Sequence, residues 1–561
     1  MSVLLLEIKN ETNSIEKSNI FNVIKYSTSE KFKNDKVNFE NDRYHVLLDG
    51  VVLNKNAIMK GFNMLDWTQC LLNLYEDKGK MFFDELKGSY YGFIYDKQLE
   101  KFIVFSDHIG SKPLYFSECE QSIVFSNSYT EIVQYLKSIN QQVTLSDQSA
   151  YLILSYGYVF EELTITNEIK RLLVGHYAEV QHSKLRIDKF FTLSNKPVNI
   201  SEEEAIDELD KRFRVAVKNA FDKDLEYGYK HAVALSGGLD SRMTSWVAND
   251  LGYTNQINFT FSQSDYLDET IAKKIAIDLG HEWMFKALDH GLFLKNIDKT
   301  NEISGGNVLY YGLAHGLSLY DYINFNDLGI MHSGQLGDVV ISSFYNSKDR
   351  VQNYHFGDGA YSQKLLSKVA FTGFKKSYAN EEIFKIYIRG FYGANQGLLG
   401  VMNYTETYSP FYDIEFMEFS LSLPLELRFK HNIYKKWIML KYPKAADYVW
   451  EAEKVPVNYR YWVRYKKAKV ALSQIPALIA SKFGIKKYGL DTKNNMNPLD
   501  FWMYSNPELK KYQDNYFQDN IMRIVNNKEL LEDCKHLYNT GSAIEKNLVL
   551  TLLSAVKILG L

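Results

Sequence analysis

The sequence is poor in cysteine, in proline and in long apolar runs. Its three cysteines, Cys70, Cys119 and Cys534, lie far apart and form no Cys-x-x-Cys pair. This spacing argues against a disulfide framework and against a structural zinc site. The longest apolar stretch, 548–561, is interrupted by Lys557 and is too short to span a bilayer. We therefore expect a cytoplasmic protein.

The chain also lacks a strong excess of charge of either sign. Its 65 basic and 68 acidic residues leave a formal net charge of −3, so its overall charge does not indicate a nucleic-acid partner. The segment 1–9 has no basic residues before its apolar run and contains Glu7, which predicts a buried strand rather than a signal peptide. A chain of this length exceeds one ordinary core, and we expect roughly two to four domains.

Residues 1–194 are rich in short β-branched and aromatic runs, which are typical of strands. Turn signals, among them Asp49-Gly50, separate these runs and predict where strands end. We expect a β-rich first domain. The runs that carry this prediction are 44–48, 90–95, 102–105 and 122–125.

From about residue 200 the pattern changes to alternating helices and strands. The run 201–204, Ser-Glu-Glu-Glu, predicts a helix start with a capping box. A strand at 231–235 leads through a glycine-rich turn into a helix, and a strand at 256–261 precedes a helix at 268–279. This alternation predicts a parallel sheet flanked by helices. The predicted domains are 1–194, 200–460 and a mostly helical extension, 461–561.

The glycine-rich turn is Ser236-Gly237-Gly238-Leu239-Asp240-Ser241. A turn between a buried strand and a helix presents backbone N–H groups and the positive helix end to phosphate oxygens. Its glycines allow close approach of the backbone, its serines add hydroxyl donors, and Asp240 suits the Mg²⁺ that accompanies ATP. The Gly-Lys-Ser/Thr ending of a Walker A loop is missing. The alternative interpretation is a chance Gly-Gly turn.

The six residues resemble the pyrophosphate loop of the N-type ATP pyrophosphatases, which cleave ATP between its α and β phosphates. Taken with further segments at matching spacing, the chain resembles asparagine synthetase and its relatives over most of its length. This implies an Ntn-hydrolase-like N-terminal sandwich and a doubly wound, adenine nucleotide α-hydrolase-like synthetase domain. The further segments are 259–261, 267–272, 279–282, 332–338 (His-Ser-Gly-Gln-Leu-Gly-Asp), 409–413 (Ser-Pro-Phe-Tyr-Asp), 419–427 and 450–454 (Trp-Glu-Ala-Glu-Lys).

The resemblance implies a role for each matching residue. Asp240 and Asp338 would hold Mg²⁺ against the pyrophosphate. Lys454 would stabilise the charge that develops on pyrophosphate and on the tetrahedral centre. The alternatives are a helix N-cap for Asp338 and a solvated surface lysine for Lys454. The residues expected to contact ATP are Leu235, near the adenine, and Ser236, Gly237, Gly238, Leu239, Asp240, Ser241, Ser333 and Gly334.

Gln335 stands where asparagine synthetase has a glutamate. Its amide cannot act as a base, although it can hydrogen-bond the acyl substrate. In the related β-lactam synthetases this position is a tyrosine that works with a later glutamate. Glu381 and Glu382 fall in the corresponding region, and we take Glu382 as the candidate, with a surface charge as the alternative. The identity of the base stays open.

Segments 48–54 and 105–116 resemble the glutaminase domain of the same family. Glutamine hydrolysis there needs Cys as residue 2, where this chain has Ser2, because the thiol attacks the amide. It also needs an oxyanion-site asparagine, which is replaced here by Asp49, whose negative charge would oppose an oxyanion. We therefore expect a retained scaffold without glutaminase activity.

These features favour an ATP-dependent amide ligase that adenylates a small-molecule or saccharide carboxylate and transfers ammonia or an amine to it. Two alternatives remain open. One is an intramolecular amide-forming cyclase of the β-lactam synthetase or lasso-peptide cyclase type, and the other is a non-catalytic ATP-binding pseudoenzyme. We expect no nucleic-acid partner, and a homodimer is an open expectation.

Segment 461–488 combines lysine and arginine with apolar residues at helical spacing. It predicts a surface helix with a solvated basic face. The alternative interpretation is peripheral contact with an anionic membrane.

Overall fold

The computed structural model describes residues 2–9, 21–345, 356–371, 374, 378–459 and 493–561. Its N-terminal part is rich in strands, as the sequence predicts. These strands are β1 (Val3–Lys9), β2 (Phe21–Ser27), β3 (Val37–Glu40), β4 (Tyr44–Val52), β5 (Gly88–Asp96), β6 (Lys101–Ser106), β7 (Tyr115–Glu118), β8 (Ser122–Ser126), β9 (Lys170–Arg171), β10 (His176–Gln181) and β11 (Lys184–Lys189).

These strands form two antiparallel sheets that pack face to face. The strand orders are β2-β1-β8-β7-β9 and β11-β10-β6-β5-β4-β3. Leu4 and Leu6 of β1 pack with Phe93 of β5 and Phe102 of β6 in the apolar layer between the sheets. The prediction of a buried first strand is therefore confirmed. Nearby helices are α1 (Lys55–Gly61), α2 (Trp67–Lys78), α3 (Tyr129–Ser138) and α4 (Asp147–Tyr156).

The turn predicted at Asp49-Gly50 is wrong. Both residues lie inside β4, where they pair with Tyr91 and Tyr90 of β5. Gly50 has a φ of 133°, and a Cβ on it would lie 2.2 Å from the carbonyl oxygen of Ser89. The glycine therefore permits a close approach between two strands rather than a chain reversal.

The second part of the chain contains a five-stranded parallel sheet among its described residues. With the strands numbered along the chain, their order across the sheet is 14-13-12-15-16. The sheet is therefore extended in one direction from strand 12 to strand 14 and in the opposite direction from strand 12 to strand 16. Such a reversal is the switch point of a doubly wound sheet, where ligands bind beyond the carboxyl ends of the strands. The predicted fold class is confirmed. The strands are β12 (Lys230–Ala234), β13 (Gln256–Ser262), β14 (Glu282–Ala287), β15 (Leu328–His332) and β16 (Thr407–Tyr408).

The helices of this part of the chain include several that pack against the sheet, and the first helix begins with the predicted capping box. Ser201 Oγ accepts a hydrogen bond from Glu204 N at 3.2 Å, and Glu204 Oε2 accepts one from Ser201 N at 3.1 Å. The helices are α5 (Glu202–Glu226), α6 (Leu239–Asp250), α7 (Leu267–Leu279), α8 (Ile297–Ser304), α9 (Tyr311–Tyr320), α10 (Gly337–Ile341), α11 (Glu381–Lys385), α12 (Ile414–Ser422), α13 (Leu425–Arg428), α14 (Asn432–Lys441), α15 (Pro443–Ala446), α16 (Leu499–Ser505), α17 (Pro507–Asn520), α18 (Lys528–Thr540) and α19 (Ala543–Leu559).

The C-terminal helix α19 is largely buried and packs against α4 and α8. No helix within the described ranges is long and apolar enough to cross a membrane. The basic segment 461–488, and the prediction made for it, lie outside the described residues. The predicted domain boundaries near residues 194, 200 and 460 stay predictions.

Candidate functional site

Two loops meet at the carboxyl ends of β12 and β15, the strands that flank the switch point. One loop leads from β12 into α6, and the other leads from β15 into α10. A Cβ on Gly334 would lie 2.3 Å from the backbone N of Ser241, and one on Gly337 would lie 2.7 Å from Asp240 Cγ. Any side chain at either position would clash, so the two glycines allow the second loop to pack directly on the first.

The loop before α6 is held together by its own hydroxyl groups. Ser241 Oγ accepts from Ser236 N at 3.0 Å, and Ser236 Oγ accepts from Gly238 N at 3.2 Å. Gly237 N donates to Asp268 Oδ1 at 2.7 Å. Because α6 begins directly after this loop, the positive end of its dipole lies at the loop and favours a bound anion.

Asp240 and Asp338 face one cleft from the two loops. Tyr434 donates its hydroxyl hydrogen to Asp240 Oδ1 at 2.9 Å. Desolvation by the surrounding protein raises the pKa of Asp240 well above its usual value, and the charge of Asp338 raises it further. Desolvation also raises the pKa of Asp338, against the opposing positive charges of His431 and Arg389. A cation would relieve this repulsion, and carboxylate oxygens are ligands that suit Mg²⁺.

The cleft has a volume of about 860 Å³. Of the residues predicted for the site, Gly237, Leu239, Lys454 and Glu382 do not line it. Leu239 is buried behind the loop, with 3% of its surface exposed. The predicted residues that do line the cleft are Leu235, Ser236, Gly238, Asp240, Ser241, Ser333, Gly334, Gln335 and Asp338.

Lys454 lies on a short hairpin that docks on the first loop. The hairpin consists of β17 (Val449–Trp450) and β18 (Val455–Pro456), and Glu451 N donates to the carbonyl oxygen of Gly237 at 3.2 Å. Lys454 Nζ lies 3.3 Å from Glu451 Oε1. Since Glu451 lines the cleft, the structure brings Lys454 beside the cleft without making it part of the lining.

Glu382 lies in a buried ion pair rather than in the cleft. Its two oxygens accept from Arg428 at 2.7 and 3.2 Å, from Ser343 Oγ at 2.8 Å and from Asn195 Nδ2 at 2.8 Å. Burial opposes ionisation, but Arg428 and the other donors lower the pKa of Glu382. A carboxylate with four donors is a poor proton acceptor. The geometry therefore favours a structural role for Glu382, and its assignment as the base stays a prediction.

Gln335 does line the cleft, and its amide is already oriented. Its Nε2 donates to the carbonyl oxygen of Ala394 at 2.7 Å. Ser409 Oγ donates to its backbone carbonyl oxygen at 3.0 Å. Gln335 is therefore a fixed polar group in the wall of the cleft.

Sequence reasoning missed several residues that build this site. Arg242 donates to the carbonyl oxygens of Gly237 at 3.2 Å and Val449 at 2.6 Å, which ties the first loop to the hairpin. Asp268 holds Gly237, and burial raises the pKa of Asp268 to about 6. Asp268 does fall in a segment that carries the family resemblance. For Tyr434 the sequence carries no signal, because it lies far along the chain from Asp240.

The region around Ser2 is filled by a charged cluster. Ser2 Oγ lies 3.3 Å from Thr28 Oγ1, which donates to Asp49 Oδ2 at 2.5 Å. Lys112 Nζ lies 3.8 Å from Asp49 Oδ1 and 2.8 Å from Glu406 Oε2. Burial opposes the ionisation of Asp49, but Lys112 helps to lower its pKa. The adjoining cavity of about 30 Å³ has room for about two water molecules.

A buried cluster of Asp224, His231 and His332 supports the switch point. Asp224 Oδ2 lies 2.9 Å from His231 Nδ1 and 2.7 Å from His332 Nε2, and Asp224 Oδ1 accepts from Ile330 N at 2.8 Å. The three side chains have metal-ligand spacing, but these contacts are hydrogen bonds that already occupy the ring nitrogens concerned. We interpret the cluster as a bridge that joins α5, β12 and β15.

Comparison with known proteins bears on the N-terminal part. Residues 39–191 match a family model described as a glutamine amidotransferase domain. The N-terminal part therefore contains a glutamine-amidotransferase-type domain, and such a domain indicates amide-forming or amidotransfer chemistry. No curated protein matches the chain.

Two solved structures are similar in part. One is described as the allosteric regulatory enzyme of purine biosynthesis, at 12% identity and a TM-score of 0.20, covering 36% of this chain and 42% of that one. The other is the glutamine phosphoribosylpyrophosphate amidotransferase from B. subtilis, at 11% identity and a TM-score of 0.22, covering 50% of this chain and 59% of that one. The chain thus spans about half the length of these two proteins, and similarity this weak supports no further inference.

Proposed function

We propose that the chain is an ATP-dependent, AMP-forming ligase that makes an amide from a carboxylate. The observation that carries this proposal is the contact between the two loops at the switch point, with Asp240 and Asp338 on the same cleft. An anion-binding loop next to two carboxylates suits a polyphosphate that arrives with a divalent cation.

The residues present fit Mg²⁺ and ATP. Asp240 and Asp338 would hold the cation. Desolvation raises the pKa of both, and the charge of Asp338 raises that of Asp240 further, which a cation would offset. When bound, Mg²⁺ supplies positive charge beside the phosphates. The N–H groups at the start of α6 would hold the phosphates, since those of Ser236, Gly237 and Gly238 donate within the protein. Leu235, Ser333 and Gly334 would lie along the nucleotide.

The chemistry that fits the cleft has two steps. An oxygen of the substrate carboxylate attacks the α-phosphorus of ATP, the bond from that phosphorus to the bridging oxygen breaks, and pyrophosphate leaves. The nitrogen of ammonia or of an amine then attacks the acyl carbon and loses a proton to a base, and AMP leaves with the electrons of the broken bond between the acyl carbon and oxygen. Lys454, beside the cleft at Glu451, would stabilise the charge on pyrophosphate and on the tetrahedral centre. Gln335 would hydrogen-bond the acyl group.

The nitrogen would come from ammonia or from a substrate amine rather than from glutamine. An ionised Asp49 beside Ser2 opposes an oxyanion, and the adjoining cavity is too small for glutamine. A small-molecule or saccharide acid is the proposed carboxylate. If the amine belongs to the same molecule, the product is a cyclic amide, and the enzyme is an intramolecular cyclase.

Carboxylate-dependent exchange of labelled pyrophosphate into ATP tests the proposal, over a panel of amino acids and uronic acids. Asp240→Asn and Asp338→Asn should each lower the exchange rate by about 100-fold or more, because each removes a carboxylate from the cation. Asp250→Asn is the matched control, an exposed carboxylate at the other end of α6. Mg-ATP binding without exchange for any acid in the panel would support the ATP-binding pseudoenzyme instead, and a chain that neither binds Mg-ATP nor gives exchange would contradict the proposal.

A second measurement locates the nitrogen source. Amide formation with the exchanging acid should proceed with ammonium salts or an amine and show no gain from glutamine. Release of ammonia from glutamine that depends on Ser2 would contradict the proposed loss of glutaminase activity.

A further inference from the structure

Arg389 is the single arginine or lysine among the described residues that line the cleft. It lies on a π-helical turn, Ile386–Phe391, a rare conformation that occurs frequently at functional sites. Its side chain is 32% exposed, and its Nη1 is 3.9 Å from Asp358 Oδ1. The guanidinium also lies 4.6 Å from the centroid of the Phe344 ring. Neither contact is a hydrogen bond from the guanidinium of Arg389. Its N–H donors are therefore unused within the described part of the chain.

The carboxylate beside Arg389 lies closer to another cation, Lys385, which also lies 2.8 Å from Glu381 Oε1. Lys385 Nζ lies 2.5 Å from Asp358 Oδ2, much closer than Arg389 lies to the other oxygen. The other charged side chains of the cleft are acidic, and two of them, Asp240 and Asp338, are assigned to the cation. A half-buried guanidinium with unused donors in such a place suits a bound anion.

Aromatic rings surround this part of the cleft. Burial raises the pKa of Tyr158 and of Tyr361, and the positive charge of Arg389 opposes the rise at both, so the guanidinium lies within electrostatic reach of both hydroxyl groups. The Tyr311 side chain is hydrogen-bonded to that of Tyr361. Tyrosine offers an apolar face with a polar tip, which suits the ring of a polar molecule such as a saccharide.

We propose, on the basis of the proposed function, that Arg389 binds a second anionic group of the acyl substrate. The preferred substrate is then a doubly anionic acid with a polar ring. One carboxylate reacts at the two loops, while the other anion, a carboxylate or a phosphate, pairs with the guanidinium of Arg389. Arg389 is thus a residue that determines specificity rather than one that takes part in the adenylation.

The test compares three acids in the pyrophosphate exchange: a hexuronic acid, the same acid as its 1-phosphate, and aspartate. The wild-type chain should prefer a doubly anionic acid. Arg389→Met should raise KM for that acid by about tenfold or more, since one hydrogen-bonded charge pair is lost, with little change in kcat. Arg389→Lys should recover part of the loss. Arg186→Met, at a largely exposed arginine of the N-terminal sandwich, is the control.

Direct binding separates this inference from the proposed function. Calorimetry measures the Kd of Mg-ATP and of each acid for the wild-type chain and for Arg389→Met, and thermal unfolding checks that the variant is folded. An unchanged Kd for Mg-ATP with weaker binding of the doubly anionic acid alone would support the inference, even if no acid gave exchange. Preference for the 1-phosphate or for aspartate identifies the second anion as phosphate or carboxylate.

Three results would overturn the inference. Weaker Mg-ATP binding in Arg389→Met would assign the guanidinium to the phosphates of the nucleotide. An equal loss with all three acids would remove its role in discrimination. Normal exchange in the variant with every acid would also remove the role of Arg389 in discrimination, while leaving the proposed ligase activity intact.

Discussion

Lys112 Nζ lies 2.8 Å from Glu406 Oε2, and this buried ion pair joins the N-terminal sandwich to the parallel sheet. Lys112 lies between β6 and β7, and Glu406 directly precedes β16. Each side chain is only 8% exposed. The same lysine lies 3.8 Å from Asp49, so one cation serves two buried carboxylates.

Removing this lysine should destabilise the whole protein. Lys112→Met leaves the buried Glu406 without its ion-pair partner and leaves Asp49 with Lys36 alone, at 4.0 Å, and we expect the free energy of unfolding to fall by about 3–5 kcal/mol. Urea denaturation measures it. Lys87→Met is the matched control, because Lys87 pairs with Glu415 across the same two parts of the chain but at the surface; it should cost less than about 1 kcal/mol. Equal losses in the two variants would contradict the argument.

Gly334→Ala should abolish Mg-ATP binding. A Cβ there would lie 2.3 Å from the backbone N of Ser241, so the second loop must move away from the first and carry Asp338 with it. Calorimetric titration with Mg-ATP measures the loss, which we expect to be about 100-fold or more because the cation then loses one ligand. Gly61→Ala, where no atom lies within 4 Å of the added Cβ, should bind normally. Normal binding by Gly334→Ala would place ATP elsewhere.

Asp268 should make stability depend on pH. Its pKa is raised from 3.8 to about 6, chiefly by burial, so the folded state holds the proton more tightly than the unfolded state. Its contribution to stability is fully present below pH 3.8 and is lost as pH rises through about 6. Asp268→Asn can still accept from Gly237 N but carries no charge.

The variant should therefore gain stability over the wild-type chain as pH rises. The gain should approach, as an upper limit, about 3 kcal/mol above pH 6. Thermal unfolding of both proteins at about pH 4.5 and about pH 7.5 measures it, across the window in which the carboxyl ionises. Asp207→Asn, at an exposed carboxylate of α5, should show no such trend. A Tm difference that does not change with pH would contradict the raised pKa.

Glu382→Gln should separate a structural role from a catalytic one. The substitution leaves Arg428 fully buried without its counter-charge, and we expect a loss of about 3–5 kcal/mol in the free energy of unfolding. At a temperature where the variant is folded, its rate of amide formation should stay within a few-fold of the wild-type rate. A stable variant with no amide formation would restore Glu382 as the base.

Much of the fold could be predicted because its signals are local. The β1 strand, the capping box before α5 and the strand and helix at β13 and α7 follow from periodicity and caps within a few residues. The turn expected at Asp49-Gly50 was wrong because a glycine signal does not tell a chain reversal from a close approach between strands. That difference depends on Ser89, which lies on another strand.

The sequence by itself determined the loop from Ser236 to Ser241, because a strand, two glycines and a helix start are adjacent in the chain. The tertiary structure alone decided which side chains meet that loop. In the folded chain, Asp338 and Tyr434 lie beside Asp240, and Arg389 lines the cleft. Glu382 instead forms a buried ion pair with Arg428. These contacts join positions tens to hundreds of residues apart, and only packing brings them together.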